Sequence, residues 1–223
     1  MARSGYFHGD LRRALLDAGL EAARAEGPEG VSVRELARVV GVAPSAVYRH
    51  FEAHEQLLSD LALRAQSMVA DAMEERVAAV PTGDRRSWAD GAIAAVGIGY
   101  VEFAWQEPGW FRLAFRTHGD LQAAHDERGR GACGRTPYEQ LERALDALVE
   151  VGELTEQNRA GAEALAWSAV HGFAMLTVEG PLRSLDAATK ASFAARVVEM
   201  VRLGLAQCGT AGEPSTPGGA SGR

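Results

Sequence analysis

Apolar residues recur at helical spacing along most of this chain, and the runs are broken at glycine and proline. Leu11, Leu15, Ala18 and Ala22 form the first stripe. It predicts a helix from Asp10, as N-cap, to Glu26, stopped by Gly27-Pro28. A second helix is expected to start at Ser32, where Ser32-Val33-Arg34-Glu35 fits a capping box. Leu36, Val39 and Val40 would face inward, and Gly41 would end the helix in the left-handed conformation. A short third helix follows over about Ala43 to His50, with Pro44 at its first position, where the missing N–H costs nothing. A fourth runs from Ala53 or His54 to about Val80 on an apolar face of Leu57, Leu61, Ala65, Met68 and Ala72. Pro81-Thr82-Gly83 breaks it.

Beyond that break, Trp88 to Gln106 reads as a long apolar helix and Pro108 to Arg116 as a shorter aromatic one. His118 to Thr136 scatters Gly119, Gly129, Gly131 and Gly134 among charges and reads as a mobile loop. Pro137 to Val151, Glu156 to Glu179 and Leu185 to Gln207 are three further helices. The Gly, Ser, Thr and Pro-rich tail from Gly209 is expected to be disordered. Few segments are rich in β-branched or aromatic residues, so the chain reads as all-α. Its expected division is a three-helix N-terminal domain at residues 8–55, a larger helical domain at 56–207 and a tail at 208–223.

Three helices with a tight glycine turn between the second and third describe a helix-turn-helix at about residues 32–51. A third helix of seven or eight residues spans about 11 Å, which fits a major groove about 12 Å wide. Ser45, Tyr48, Arg49 and His50 are its polar side chains, while Val42, Val47 and Phe51 can turn back to hold it. Charge argues mildly the other way. The 23 Lys+Arg against 30 Asp+Glu give a net −7, whereas phosphate contacts favour a basic surface. A compact reading head needs only local positive charge, and with Lys190 as the sole lysine that charge must come from arginine or histidine.

Cys133 and Cys208 are too few and too far apart for a disulfide framework. Met1 to Asp10 lacks the apolar core of a signal peptide. Ala92 to Val101, the longest charge-free helical stretch, is far short of the roughly 20 residues that span a bilayer. A cytoplasmic protein without membrane contact is the expectation.

The run Gly41-Val42-Ala43-Pro44-Ser45-Ala46-Val47-Tyr48-Arg49-His50-Phe51 resembles the signature of TetR-type repressors. Phe7-His8-Gly9-Asp10-Leu11-Arg12-Arg13-Ala14-Leu15 is similar to the start of many members. The resemblance implies an all-helical homodimer with an N-terminal DNA-binding domain and a C-terminal ligand-binding and dimerisation domain. Trp167-Ser168-Ala169-Val170-His171-Gly172 is similar to the Trp-x-x-x-His-Gly motif of one C-terminal subgroup. By position, the resemblance gives Tyr48 and His50 phosphate contacts, and turns Ser45 and Arg49 toward base edges or nearby phosphates. Ala43 and Pro44 open that helix and are counted among the expected DNA-binding residues. Ser32, Val33 and Arg34 sit at the start of the second helix, where free N–H groups favour an anion. His54 stands where a lysine is common, so a phosphate contact there would depend on protonation.

Tyr100, Phe103, Trp110, Phe111, Phe115, Trp167, His171 and Phe173 all lie in the C-terminal part. They are expected to line an apolar cavity for a small apolar or aromatic effector, with Tyr100 and His171 as polar handles. Gly91, Gly97 and Gly99 lie on one helix at about 1 kcal/mol each, a cost that points to needed space or close approach. Gly161, Ala164, Ser168, Gly172 and Gly204 would let the last two helices approach closely, either each other or a second copy.

Catalysis and metal binding are disfavoured. His50 and His54 flank Glu52, but a zinc-protease motif has its glutamate directly after the first histidine. Ser168 and His171 lack a nucleophile elbow. No cofactor is expected. Three classes remain: a repressor released from a pseudo-palindromic operator by an effector, a constitutive DNA-binding regulator, and a helical ligand-binding protein or enzyme that no longer binds DNA.

Overall fold

The structure is a computed structural model in which residues 8–116 and 124–207 are described, the side chains of residues 8–10 excepted. Phe7, residues 118–123 of the expected loop, Cys208 and the 208–223 tail lie outside them. The described residues form helices and short 3-10 turns with no strand. The helices are α1 (His8–Glu26), α2 (Val33–Val40), α3 (Pro44–Val47), α4 (His54–Ala78), α5 (Arg85–Gln106), α6 (Pro108–Ala114), α7 (Pro137–Glu150), α8 (Glu156–Arg159), α9 (Ala162–Val178) and α10 (Ala187–Gln207). No described helix is long and apolar enough to cross a membrane.

The spine is α4. Its 25 residues reach about 37 Å at 1.5 Å per residue. Leu57, Leu58 and Leu61 are buried near its start, and Met73 and Val77 near its end. One contiguous apolar core therefore runs from Leu15 in α1 through α4 to Leu205 in α10. Around the start of α4, α1 and α2 close a small head whose centre is Leu15, Leu36, Val47 and Phe51, all nearly solvent-free. Arg12 lies 5.0 Å above the Phe51 ring and pairs with Asp60 at 2.5 Å, tying α1 to α4. Around the other half of α4, α5, α7, α9 and α10 build the body.

Several local expectations are corrected. The first helix starts at His8, so Asp10 is inside it and not its cap. The capping box at Ser32 does not form: the Ser32 side chain makes no cap bond, and Glu35 instead takes the Arg38 guanidinium one turn on. A charge-assisted pair at i,i+3 outcompetes a reach back to a neutral backbone N–H. The box appears at Thr136–Glu139, at the start of α7. Val39, expected inward, is 60% exposed, because α2 is only eight residues long and shows the core one narrow face. The helix expected over Glu156 to Glu179 is two, α8 and α9, separated at Gly161 with φ +76°. That left-handed geometry is open to glycine at no steric cost.

The expected mobile loop is also corrected where it is described. Residues 127–129 make a 3-10 turn against α4. Arg130 pairs with Glu139 at 2.9 Å, Arg128 reaches Asp60, and the Ala132 N–H donates to Asp71 at 2.7 Å. This stretch straps α4 to the start of α7. The glycines of α5 serve close approach. A Cβ on Gly97 would lie 2.7 Å from Val198, and one on Gly99 2.9 Å from the Met73 Cα.

Candidate DNA-reading surface and effector cavity

Gly41 takes φ +78° and turns the chain from α2 into α3. Ala43 caps α3 in extended conformation and Pro44 opens it. The helix is shorter than expected, ending at Val47. Tyr48 to His50 continue as tight turns, with His50 N–H donating to the Val47 carbonyl at 2.9 Å. Val47 is fully buried and Phe51 nearly so. This anchors the segment from beneath and leaves Ser45, Tyr48 and Arg49 on the outside, with Tyr48 53% exposed. His50 is half-buried. Ser32 and Arg34, exposed, and Val33, half-buried, stand at the N-terminus of α2, where Ser32 makes no side-chain cap bond.

The head's cations divide into two kinds. Arg12 is bound to Asp60 and Arg38 to Glu35. Arg34 and Arg49 are exposed and have no ion-pair partner among the described residues. They supply local positive charge in a chain of net charge −7. His54 takes a different place from a phosphate-facing cation. It is half-buried, and its Nε2 bonds the Val31 carbonyl at 2.8 Å, pinning the start of α4 to the loop before α2.

In the body a cavity of about 260 Å³ opens between α4, α5, α7, α9 and α10, with the end of α6 at its wall. Tyr100, Phe115, Trp167 and His171 of the expected set line it. Phe103, Trp110, Phe111 and Phe173 do not. Phe111 stands one layer behind, 5.2 Å from the Tyr100 ring and 5.0 Å from Phe115. Phe173 packs on Trp105 at 6.4 Å, and Phe103 is buried elsewhere in the core. Trp110 belongs to the junction with the head: its Nε1 donates to the Leu20 carbonyl at 2.8 Å, and Arg24 lies 4.8 Å over its ring.

Other wall residues were not singled out in the sequence, chiefly Gln66, Met73, Tyr138, Leu141 and Val198. They sit on helices whose apolar stripes read as ordinary core, and nothing local separates a cavity wall from a packed interior. Tyr138, an amphipathic ring directly after Pro137, carried the only available signal.

The polar groups of the wall are ordered. Trp167 Nε1 donates to the Tyr100 hydroxyl at 3.1 Å, and that hydroxyl lies 2.8 Å from His171 Nδ1. Burial pushes the Tyr100 phenol far above its ordinary value, opposed by the Trp167 hydrogen bond. Burial also lowers His171 from its ordinary value. Both side chains are therefore neutral near pH 7. Gln66 Nε2 donates to the Ala114 carbonyl at 2.8 Å.

The short helix α6 belongs to both regions. Ala114 and Phe115, at its end, line the cavity. Arg112 donates to the Glu26 carbonyl at 2.7 Å and pairs with Glu29 at 3.3 Å and with Glu179 of the α9 end at 3.2 Å. Glu107, just before α6, takes Arg24 through two hydrogen bonds of 2.7 and 2.5 Å. Gly109 permits the contact, because a Cβ there would meet the Ala23 carbonyl at 2.2 Å.

A family model described as bacterial regulatory proteins, tetR family, matches residues 15–61. A second, described as tetracyclin repressor-like, C-terminal domain, matches residues 93–200. The chain is 27% identical over 168 residues to an uncharacterized HTH-type transcriptional regulator, YobS, of Bacillus subtilis, spanning 75% of this chain and 79% of that one. Among solved structures, a protein of unknown function from Rhodococcus superposes with TM-score 0.69 at 24% identity, over 92% of this chain and all of that one. RolR in complex with the ligand resorcinol superposes with TM-score 0.62 at 15% identity, over 93% and 97% of the two chains. Head and body thus each match a part of one family, and the chain is a member of the TetR family of DNA-binding transcriptional regulators.

Proposed function

We propose that the protein is a cytoplasmic repressor that binds a pseudo-palindromic operator as a homodimer and leaves it when a small apolar or aromatic effector occupies the body cavity. The proposed division places DNA reading in residues 8–55 and effector binding and dimerisation in 56–207, with the 208–223 tail outside both. The observation that carries this reading is α6, which lines the cavity with Ala114 and grips the end of α1 with Arg112. An effector that prefers one position of α6 changes the setting of the head by its differential affinity for the two arrangements. Continuous burial along α4 supplies a second path.

On the DNA, Tyr48 and His50 would donate to phosphates, Ser45 and Arg49 would reach base edges or nearby phosphates, and Ser32, Val33 and Arg34 would present the start of α2 to the backbone. His54 has one ring nitrogen already engaged, so we assign it to holding the head together and not to phosphate. Dimerisation is supported by Leu165, Leu176, Met200 and Leu203, large apolar side chains 45–61% exposed on α9 and α10. A Cβ on Gly172 or Gly204 would meet nothing within 4 Å, so a second copy could approach closely there. Two reading helices in such a dimer must sit about 34–36 Å apart, one DNA turn.

The test is anisotropy of a labelled duplex covering the region upstream of the coding sequence, at fixed salt. The duplex is expected to bind two chains, and ligands found by thermal shift are expected to release it. Ligands that raise the melting temperature but leave DNA affinity unchanged would favour constitutive binding. Absence of specific DNA binding would favour a helical ligand-binding protein.

A further inference from the structure

The hydrogen-bond chain in the cavity wall has a direction, and that direction specifies a ligand. Trp167 Nε1 can only donate, and it donates to the Tyr100 oxygen. Tyr100 is 5% exposed, and His171 Nδ1 at 2.8 Å is the one acceptor its hydroxyl proton meets among the described residues. If Nδ1 carried the proton instead, it would donate to the Tyr100 oxygen, and the phenol proton would be buried without a partner. Such a group keeps its full desolvation cost. Nδ1 is therefore the acceptor, and a neutral imidazole then holds its single proton on Nε2.

His171 lines the cavity, and its Nε2 has no hydrogen-bond partner among the described residues. Tyr100, the other expected handle, is spent within the chain of bonds. Tyr138 can donate or accept, and Gln66, whose Nε2 is given to the Ala114 carbonyl, keeps both an acceptor oxygen and a second N–H, so neither selects a ligand by polarity. No Lys, Arg, Asp or Glu is among the described residues of the wall, and a charged ligand group would be desolvated without compensation. The rings of Phe115, Trp167 and Tyr138 shape the space.

Resting on the effector reading for its biological use, we propose that the cavity takes an uncharged aromatic carbonyl compound whose oxygen accepts a hydrogen bond from Nε2–H of His171. The fixed element of the site is the Nε2–H donor of His171, and the described wall offers no counter-charge.

The test uses the full chain without DNA and three probes of similar size, acetophenone, ethylbenzene and benzoate, titrated at pH 8 by calorimetry. Acetophenone is expected to bind, ethylbenzene about tenfold or more weaker for want of the acceptor, and benzoate weakest. In His171→Phe the preference for acetophenone over ethylbenzene should vanish. In Tyr100→Phe, which removes the proton that fixes the tautomer, it should narrow. This second variant keeps the proposal testable if His171→Phe does not fold. Benzoate binding as tightly as acetophenone, equal binding of acetophenone and ethylbenzene to the unaltered chain, a preference that survives in His171→Phe, or no binding of any probe would overturn it. Acetophenone bound with the expected preferences but without effect on DNA affinity would uphold this recognition chemistry and count against the effector reading alone.

Discussion

Tyr48 in the head and Tyr100 in the body show how differently one residue type is used. Tyr48 is half exposed on a segment anchored from beneath by Val47 and Phe51. Tyr100 is buried between helices, with its hydroxyl fixed between Trp167 and His171. The head keeps its apolar groups together and Ser45, Tyr48 and Arg49 outside. The body keeps a cavity inside and orders the few polar groups around it. A surface that reads a polyanion needs local charge and reach. A cavity that selects a small molecule needs fixed donors and the absence of wrong charges.

The largest expected effect breaks the head alone. Phe51→Ala removes the ring beneath Arg12, and by the usual cost of emptying an aromatic core site it should destabilise by about 3–5 kcal/mol. Urea unfolding should show this as a lower midpoint, with DNA affinity lost in parallel. Next is the junction. Gly109→Val places side-chain atoms where the Ala23 carbonyl now lies, and overpacking of this kind costs about 1–3 kcal/mol. Hydrogen exchange should rise at the end of α1 and in α6 before it rises in α9. Unchanged protection there would detach α6 from the head.

A subtler change separates reading from folding. Tyr48→Phe keeps the ring and deletes the hydroxyl. Hydrogen bonds to charged groups are worth about 1.5–3 kcal/mol, so DNA affinity should drop about tenfold or more per head while the melting temperature stays within a degree or so. A large fall in melting temperature would move Tyr48 from the reading surface into the scaffold.

The smallest effect is in the body. Burial lowers the His171 pKa below its ordinary value near 6.5. Below that pH the unfolded chain binds a proton that the folded chain resists, so stability falls with pH and levels off once the lowered folded value is passed. His171→Phe should show less of this acid loss. Identical pH profiles for the two proteins would mean the imidazole is not shielded.

Much of the head was legible because its information is local. Gly41, Pro44, Val47 and Phe51 lie within eleven residues, and each acts through its own backbone geometry or its immediate neighbours. The limits of the long helices were legible for the same reason, from Gly27-Pro28, Pro81-Thr82-Gly83 and Pro137. The cavity wall was not. Phe111 and Phe115 lie on one short aromatic segment, yet only Phe115 reaches the space, because the position of α6 against α5 and α9 decides which ring is in front. Gly161 went unread as a break because a single glycine costs a helix only about 1 kcal/mol, and its positive φ is visible only in the fold. Glu35 had two partners within reach, and the choice between Ser32 and Arg38 depended on charge.

The central claim is that the cavity and the reading surface are two ends of one coupled device. Linkage makes this measurable, since a ligand that weakens DNA binding by some factor must itself be weakened by DNA by the same factor. The direct measurement is the dissociation constant of the tightest ligand from the thermal-shift screen, with and without saturating specific duplex, beside the DNA dissociation constant with and without that ligand. The predicted result is two equal ratios of about 5–150-fold, the usual range for coupled sites. A ligand affinity unchanged by bound DNA would contradict the account, leaving the cavity and the helix-turn-helix as independent parts of one chain.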